Sequence, residues 1–433
     1  MARAVSYALY SGRRLFKPGM VASLLLLICL LGSGFAHANP QPGDVFREYH
    51  IVGGGSNGSD EKWMDNHVFI SHHTGERSTK GDRHFENIDL NHVIKAEFVA
   101  SYWGGHVGSE NKRVVFNDFP GINLPSIKNT PSMPECFFSQ QCHAACEIPL
   151  DYLRQGRNAF RLEVDNQICY SFNWGWFWTN QVILRIYYDP LAVDHPMGTI
   201  VRPDSGAVLS DHPEIGCRVT SGPVKRIEFV GKYYDYSLEG SGDYYTWHWI
   251  HWMDNPDMHG HIGTAENEER SVIWENQWVP DQKWIRIAAR IVDTNDMIYM
   301  TAPVKDIEIK RADRSVKMYP ASFVPEAFAT QTGSAECKIV IPDALNHATS
   351  AKLVVTTFSG GKPDRKVYLN GQPLREGGWG TWHRLAICEE PVPLALLNSG
   401  INTFEIRANM PGEHAFEVNW PGPAIFIEYK KNQ

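Results

Sequence analysis

Histidine and sulfur side chains suited to a metal ion are concentrated in one stretch of the sequence, residues 244–264. A hairpin could gather His248, His259 and His261, and the His-x-His spacing puts two imidazoles on one face of a strand. Because Met258 lies beside them, copper is the metal to test first. The alternative is that these residues cap the edge of a β-sandwich through ordinary hydrogen bonds. This alternative is favoured because no carboxylate or fourth ligand follows at a metal-ligand spacing.

Tryptophan at alternate positions marks a second candidate site. An extended segment places Trp174, Trp176 and Trp178 on one face, where their indoles can stack on successive sugar rings. Asn173, Asn180 and Gln181 are suited to binding hydroxyl groups. An alternating aromatic strand of a sandwich also commonly faces the core, so both interpretations stay open. The aromatic candidates of the histidine-rich stretch are Trp247, Trp249 and Trp252.

Two other clusters have residue types that bind ions. Residues 66–86 are rich in histidine and acids, which suits a metal or a general acid and base, although a solvated loop explains them as well. The run from Asp293 to Asp296 contains calcium-ligand residue types, and a hairpin tip accounts for the same residues. Copper and structural calcium are therefore the two cofactors to test.

Composition and missing motifs exclude several function classes. The 433 residues are 43% hydrophobic and 21% charged, as in folded proteins, and the formal net charge of −8 argues against nucleic acid or an anionic membrane surface as partner. There is no Gly-x-Ser-x-Gly elbow, His-Glu-x-x-His, Walker loop or dinucleotide fingerprint. The paired carboxylates of a glycosidase have no recognisable sequence spacing in β folds, so an enzyme that cleaves sugars is not excluded.

The first 38 residues have the pattern of a signal peptide. Four basic residues and no acid precede an apolar run at residues 21–31, and an Ala-x-Ala cleavage site ends at Ala38. Arg13 and Arg14 resemble a twin-arginine signal, but the strongly apolar run favours the ordinary secretory route. The run is too short for a membrane span, and no later transmembrane candidate occurs. We expect a secreted or periplasmic protein cleaved after Ala38.

Seven cysteines follow the predicted cleavage site, and in an oxidising compartment several should pair. They form one group between Cys136 and Cys169 and one in the last hundred residues, so pairing within each group is the simplest prediction, with Cys217 as the free thiol. The spacing of the first group also fits zinc, but no second half-site follows. The predicted disulfide cysteines are Cys136, Cys142, Cys146, Cys169, Cys337 and Cys388.

The two ends of the chain repeat one pattern. Leu90-Asn91-His92 corresponds to Leu345-Asn346-His347, and the run ending at Asn117 corresponds to the run ending at Asn370. The clearest match joins residues 146–160 to residues 388–404, where Gly-x-Asn recurs. Ordered matches of this kind predict one domain type used twice.

Each copy has the pattern of a β domain, with short β-branched and aromatic runs separated by Gly, Pro and Asn clusters. The run from Val367 to Gly371 and the Pro, Leu, Gly-x-Asn, Phe series resemble the galactose-binding-like jelly roll of secreted carbohydrate-active proteins. The Pro-x-x-Gly-Ala entry at residues 203–207 and the late hairpin of the middle region resemble an immunoglobulin-like sandwich. We predict an all-β fold of three β-sandwich domains: jelly roll at 39–190, immunoglobulin-like at 191–312 and jelly roll at 313–433.

The residues and the resemblance together favour a secreted protein that binds polysaccharide or another surface glycan through exposed aromatic residues. Such a protein would be accessory to polysaccharide use or envelope attachment. One alternative is a secreted enzyme, either a polysaccharide lyase or hydrolase or a copper-dependent oxidase that uses the three histidines. Another is a structural or adhesion module of the cell envelope. A fold of this kind hosts all of these functions, so the site has to separate them.

Overall fold

β-Strands form nearly all of the regular structure. The computed structural model describes residues 40–52, 68–71, 83–103, 109–125, 136–137, 141–165, 167, 169, 175–236, 249–252, 255–258, 260–266, 268–361, 365–375, 385–412 and 415–431. In these ranges the chain forms thirty strands, two short 3-10 helices and no α-helix, so the predicted all-β fold is confirmed. No helix in the described ranges is long and apolar enough to cross a membrane. The predicted signal peptide lies outside them.

The elements follow one another in three runs, which we call the N-terminal, middle and C-terminal parts. The first run is β1 (Val45–Val52), β2 (Val68–Ser71), β3 (Arg83–Ile88), β4 (Val93–Trp103), β5 (Arg113–Phe116), β6 (Ile122–Asn123), β7 (Gln141–Glu147), η1 (Leu150–Tyr152), β8 (Gly156–Glu163) and β9 (Trp176–Tyr188). The second is β10 (Met197–Arg202), β11 (Val208–Leu209), β12 (Glu214–Ser221), β13 (Arg226–Lys232), β14 (Trp249–Trp252), β15 (Asn255–Met258), β16 (His261–Ala265), β17 (Ser271–Ile273), β18 (Gln282–Val292), β19 (Ile298–Met300) and β20 (Val304–Ile309). The third is β21 (Arg314–Phe323), β22 (Ala329–Thr330), β23 (Thr332–Ile341), β24 (Ala348–Phe358), β25 (Lys366–Leu369), β26 (Gln372–Arg375), β27 (Leu385–Pro391), η2 (Leu394–Leu396), β28 (Gly400–Asn409), β29 (Phe416–Val418) and β30 (Ala424–Lys430).

Phenylalanines from two facing sheets form the N-terminal core. β9 lies between β1 and β4 in one sheet, and β8 lies between β3 and β5 in the other. Alternate residues of a strand point to the same face. Phe98 of β4 and Phe160 of β8 therefore meet between the sheets, with ring centroids 5.7 Å apart, and Phe85 stacks on Phe160 at 4.8 Å. Burying each ring stabilises the fold by about 1.5–3 kcal/mol.

The C-terminal core lies between two sheets that share β21. Residues Arg314 to Pro320 of this strand pair with β30, whereas Ala321 and Phe323 pair with β23. One sheet continues through β24, β27 and β29, and the other through β28, β25 and β26. The strand that changes sheets thus closes one end of the C-terminal core.

A buried asparagine pair organises the N-terminal part. Asn117 Nδ2 donates to Asn158 Oδ1 at 2.8 Å and to the Tyr152 carbonyl oxygen at 2.8 Å. Asn158 accepts from the backbone N–H of Arg154 at 2.7 Å and donates to its carbonyl oxygen at 2.6 Å. Because Asn158 is fully buried, its amide group has to find these partners inside the protein.

The C-terminal part contains the same network. Asn370 Nδ2 donates to Asn402 Oδ1 at 2.8 Å and to the Leu396 carbonyl oxygen at 2.7 Å. Asn402 bonds both backbone groups of Asn398 at 2.8 Å. Both leading asparagines have left-handed backbones, with φ of 47° at Asn117 and 52° at Asn370, which asparagine tolerates better than most residues. The match between residues 146–160 and 388–404 therefore corresponds to one shared hydrogen-bond network.

The N-terminal and middle parts share a continuous sheet. β19 pairs with β18 on one side and with β1 on the other, where Val45 lies opposite Tyr299 and Phe46 opposite Ile298. Phe46 is fully buried at this junction, in a cluster with Tyr187 and other apolar residues of both parts. Hydrogen-bonded strands therefore connect the N-terminal part directly to the middle part.

A phenylalanine from the N-terminal part enters the C-terminal core. Phe137 is fully buried there, and its ring meets that of Trp420 edge-on with centroids 5.3 Å apart. The adjacent Cys136 forms a disulfide with Cys169. The disulfide thus anchors the residue next to Phe137, and Phe137 packs into the core of the C-terminal part.

The cysteine prediction is correct for one pair and for Cys217 as a free thiol, and wrong for Cys142, Cys146, Cys337 and Cys388. Cys136–Cys169 lies within the first cysteine group, whereas Cys142, Cys146, Cys217, Cys337 and Cys388 are buried thiols. Cys142 and Cys146 are four residues apart on β7, which separates them by about 13 Å. Cys337 and Cys388 belong to opposite sheets, about 10 Å apart, whereas a disulfide needs Cα atoms within about 7 Å.

We expect Asn158→Ala and Asn402→Ala each to lower the free energy of unfolding by about 2 kcal/mol, because each leaves a half-buried backbone N–H and C=O and the facing asparagine amide without a partner. Denaturant unfolding measures the loss. The control is Asn398→Ala, whose side chain is exposed and which should stay within about 0.5 kcal/mol of wild type. A loss at only one of the two buried positions would contradict the shared network.

We expect Phe137→Ala to cost about 3–5 kcal/mol, because it leaves a cavity in the C-terminal core. The matched control is Phe323→Ala, since that phenylalanine is 69% exposed. Thermal and denaturant unfolding compare the two variants. Equal stability of both would show that Phe137 does not belong to the core.

Candidate functional site

The structure brings two of the predicted tryptophan segments together. Trp176 and Trp178 lie in β9, Trp249 and Trp252 lie in β14, and β14 lies against β9. In the backbone register Trp178 pairs with Phe69 of β2 on one side and with Trp103 of β4 on the other. The sequence did not indicate this contact, because the two segments are about 70 residues apart. The predicted residues that lie outside the described ranges are Asn173, Trp174, Trp247, His248 and His259.

A row of polar side chains crosses the same sheet beside these strands. Gln181 of β9 pairs with Ser101 of β4, and Ser101 pairs with His143 of β7. His143 Nδ1 lies 2.8 Å from Ser101 Oγ, and Gln181 Nε2 lies 2.8 Å from His50 Nδ1. Core residues of β9 such as Leu184 occupy the other face, so the polar row lies on the outer side of the sheet.

The polar row is buried except at one end. Gln181 and Ser101 are each 1% exposed and His143 is 4% exposed, although they face away from the core. The His50 side chain is 27% exposed, so the row reaches solvent there. His50 is therefore the member of the row that a polar ligand could reach.

Next to the polar row lies a buried ion cluster. Arg185 of β9 contacts Glu48 at 2.8 Å and Glu97 at 3.2 Å. Arg290 of β18 contacts the other oxygen of Glu48 at 2.7 Å and Glu228 at 3.1 Å. All five side chains are at most 2% exposed. One carboxylate thus joins an arginine of the N-terminal sheet to an arginine of the middle part.

The cluster fixes the charge state of its central carboxylate. Burial by itself would raise the pKa of Glu48, but the charges of Arg290 and Arg185 outweigh burial and hold that pKa well below its usual value. The ring of Phe46 lies under both guanidinium groups, with its centroid 5.4 Å and 5.9 Å from their central carbons. Glu48 is therefore charged at neutral pH and holds the two arginines together.

Of the three histidines predicted as metal ligands, His261 lies in the described ranges. His261 Nε2 lies 2.9 Å from Thr264 Oγ1, and the described residues contain no cluster of three His, Cys, Asp or Glu side chains that could hold a metal ion. Asp293 Oδ1 accepts the backbone N–H groups of Asn295 and Met297 at 2.7 Å and 2.8 Å. This carboxylate stabilises the turn between β18 and β19, as a hairpin tip would.

The described part of the cluster at residues 66–86 contains an exposed ion pair. Glu86 Oε1 accepts from Arg157 Nε at 3.0 Å, and both side chains are more than half exposed. His67, His72, His73 and Asp82 lie outside the described ranges. An exposed pair of this kind contributes about 0–1 kcal/mol to stability.

Sequence reasoning missed the ion cluster and most of the polar row. A signal was present, because Arg185 interrupts the apolar run 182–186 and a buried arginine needs an acidic partner. Its partners Glu48 and Glu97 are 137 and 88 residues away in the sequence, so the pattern could not name them. Gln181 was found only as a candidate for hydroxyl groups.

No protein-family model matches the sequence, and no curated protein matches it. Among solved structures, a glycoside hydrolase family 86 protein in complex with neoagarooctaose is 13% identical at a TM-score of 0.22, covering 52% of this chain and 33% of that one. A β-porphyranase of the same family from Bacteroides plebeius is 12% identical at a TM-score of 0.22, covering 48% and 31%. A Salmonella α-2-macroglobulin is 10% identical at a TM-score of 0.21, covering 90% and 24%. The chain spans a third or less of the length of these proteins.

We expect Glu48→Gln to cost about 3–5 kcal/mol at pH 7, because it removes the negative charge between two buried arginines. The folded pKa of Glu48 lies below its ordinary value of 4.5, so its contribution is present above pH 4.5 and is lost as the pH falls toward the folded pKa. The difference between wild type and variant should therefore shrink in acid. Urea unfolding between pH 7 and pH 3 measures this difference.

The control for this measurement is Glu86→Gln in the exposed pair, which should change stability by less than about 1 kcal/mol at every pH. A Glu48→Gln difference that stays constant from pH 7 to pH 3 would contradict a charged Glu48.

Proposed function

We propose that the protein binds a polysaccharide or surface glycan on the surface where β14 meets β9. The observation that carries this proposal is the contact between these two strands, because it puts four tryptophans of separate segments on one pair of adjoining strands. Aromatic rings stack on the apolar C–H faces of sugars while hydroxyl groups seek donors and acceptors. His50, at the one end of the polar row that reaches solvent, supplies such a group on β1, the strand beside β9.

Glu48 and Glu97, on the two strands that flank β9, support binding over glycoside cleavage. A sugar-cleaving acid has a pKa near the working pH and reaches the substrate. Glu48 and Glu97 are instead buried and contacted by Arg185, and the pKa of Glu48 is held well below its usual value. The described acids beside β9 are thus suited to holding the sheet together.

The proposal includes the domain order and the location of the protein. Three hydrophobic clusters, within residues 45–188, 200–309 and 319–429 apart from a few neighbours, support a jelly roll, an immunoglobulin-like sandwich and a second jelly roll. The Cys136–Cys169 disulfide supports an oxidising compartment, in keeping with a signal peptide cleaved after Ala38. The glycan would then be encountered outside the cytoplasm.

We expect Trp178→Ala and Trp252→Ala each to reduce retention on a bound polysaccharide about tenfold, because losing the burial of one stacked ring costs about 1.5 kcal/mol or more, and about 1.4 kcal/mol corresponds to a factor of ten. Retention is measured on a panel of insoluble polysaccharides, with product release scored in the same samples. Phe323→Ala is the control, since this exposed residue lies in β21, away from both strands. Retention unchanged in both tryptophan variants would overturn the proposed surface, and release of sugar products would show an enzyme.

A further inference from the structure

Two cations face each other on the outer side of the C-terminal part, where β25 pairs with β28. Lys366 of β25 is directly opposite Arg407 of β28, which puts their Cβ atoms about 4.5–5.5 Å apart. Their chain neighbours Val367 and Ile406 are buried in the C-terminal core, so the two cations point away from it. Like charges in direct opposition destabilise a sheet, so stability does not account for this pair.

The N-terminal part has an ion pair at the same position. The register of β5 and β8 sets Arg113 opposite Glu163, and Arg113 Nε lies 2.8 Å from Glu163 Oε2. The shared hydrogen-bond network matches Asn158 to Asn402, so Glu163, five residues after the first, corresponds to Arg407, five residues after the second. The base on the neighbouring strand is kept. The C-terminal part therefore has an arginine where the equivalent structural pair has its acid.

The ammonium group of Lys366 has no acidic partner among the described residues. Its side chain is half-buried, and the described part of the chain gives it neither a hydrogen bond nor an ion pair. An ammonium group has three N–H donors. All three are therefore available to a ligand at this position.

The guanidinium of Arg407 is held in one orientation by an acid and an aromatic ring. Glu405 Oε1 accepts from Arg407 Nε at 2.7 Å, and Glu405 Oε2 accepts from Arg407 Nη2 at 2.9 Å. The Tyr368 ring lies against the guanidinium, with its centroid 3.9 Å from the central carbon. The N-terminal part has Val115 at the position of Tyr368, so it cannot form this stack. The carboxylate uses two of five N–H groups, and a group fixed beforehand loses little freedom on binding.

We infer that Lys366 and Arg407 form an anion-binding subsite for glycans, which selects sugars that carry a carboxylate or a sulfate. The anionic group lies between the Lys366 ammonium and the remaining N–H groups of Arg407. It thereby takes the place that the acid Glu163 has in the N-terminal part. Tyr368 and Glu405 are positioning residues, because they orient the guanidinium. The inference rests on the proposed function only for its ligand class, since it uses other residues.

The experiment measures binding of the full chain to polygalacturonate, to a sulfated galactan and to an uncharged galactan. We expect binding to at least one anionic polymer that weakens as salt rises and that Lys366→Gln reduces about tenfold, because one charge-assisted contact is lost. The control Lys225→Gln removes the same charge from an exposed ion pair of the middle part and should bind as wild type does. Preference for either anionic polymer supports the inference and identifies the recognised group.

A charge exchange separates the arrangement of the cations from their number. The double variant Glu405→Arg with Arg407→Glu reproduces the order of Arg161 and Glu163 in the N-terminal part and leaves the net charge unchanged. We expect it to melt at or above the wild-type temperature, because Lys366 gains an opposite charge across the strands, and yet to bind the anionic polymer with affinity reduced about tenfold or more. If it melts well below wild type, Lys366→Gln decides alone, since that lysine has no described contact to lose.

Unchanged affinity in Lys366→Gln and in a folded exchange variant would overturn the inference. Polyglutamate that competes with the anionic glycan on equal terms would overturn it too, because charge alone would then suffice. A wild type that binds only the uncharged polymer, through Trp178 and Trp252, would overturn this subsite and leave the proposed function standing. Loss of anionic binding in the exchange variant but not in Trp178→Ala or Trp252→Ala would support this subsite even if the β9–β14 surface fails.

Discussion

The rest of the structure depends on the ion pairs that the Glu48 carboxylate forms with two buried arginines. Its two oxygens contact Arg185 and Arg290, which come from the N-terminal sheet and from the middle part of the chain. A buried arginine without a partner would cost several kcal/mol, so neither guanidinium tolerates separation of the two parts. Glu48 lies on β1, which also pairs with both β9 and β19. Charge pairing and strand pairing therefore constrain the same junction.

This junction accounts for the place of the candidate site. Once β9 and β18 belong to one continuous sheet, β14 of the middle part lies against β9, and Met258 of β15 belongs to the same buried cluster as Phe46 and Tyr187. Val99 and Ile183, on the outer side of the N-terminal sheet, are fully buried. Gln181, Ser101 and His143 are buried on the same side. A rigid surface of this kind orders few side chains on binding, which favours affinity for a stiff polymer.

Local patterns were predictable from the sequence, and long-range ones were not. The correspondence of Asn117 and Asn158 with Asn370 and Asn402 was visible in the spacing, and the structure shows that it corresponds to shared hydrogen bonds. The pairing of Cys337 with Cys388 was predicted wrongly, because sequence spacing does not reveal that two strands lie in opposite sheets. The β-bulge at Trp284 of β18, where φ is 68°, gave no signal, since nothing in the residue types around it requires a left-handed backbone.

Amide hydrogen exchange, with and without a bound oligosaccharide, tests most directly the claim that β9 and β14 form one binding surface. The account predicts that backbone amides at residues 176–180 and 249–252 slow together when the sugar is present, because both strands contact one ligand. Slowing at only one of the two strands, or at neither while the sugar is bound, would contradict it.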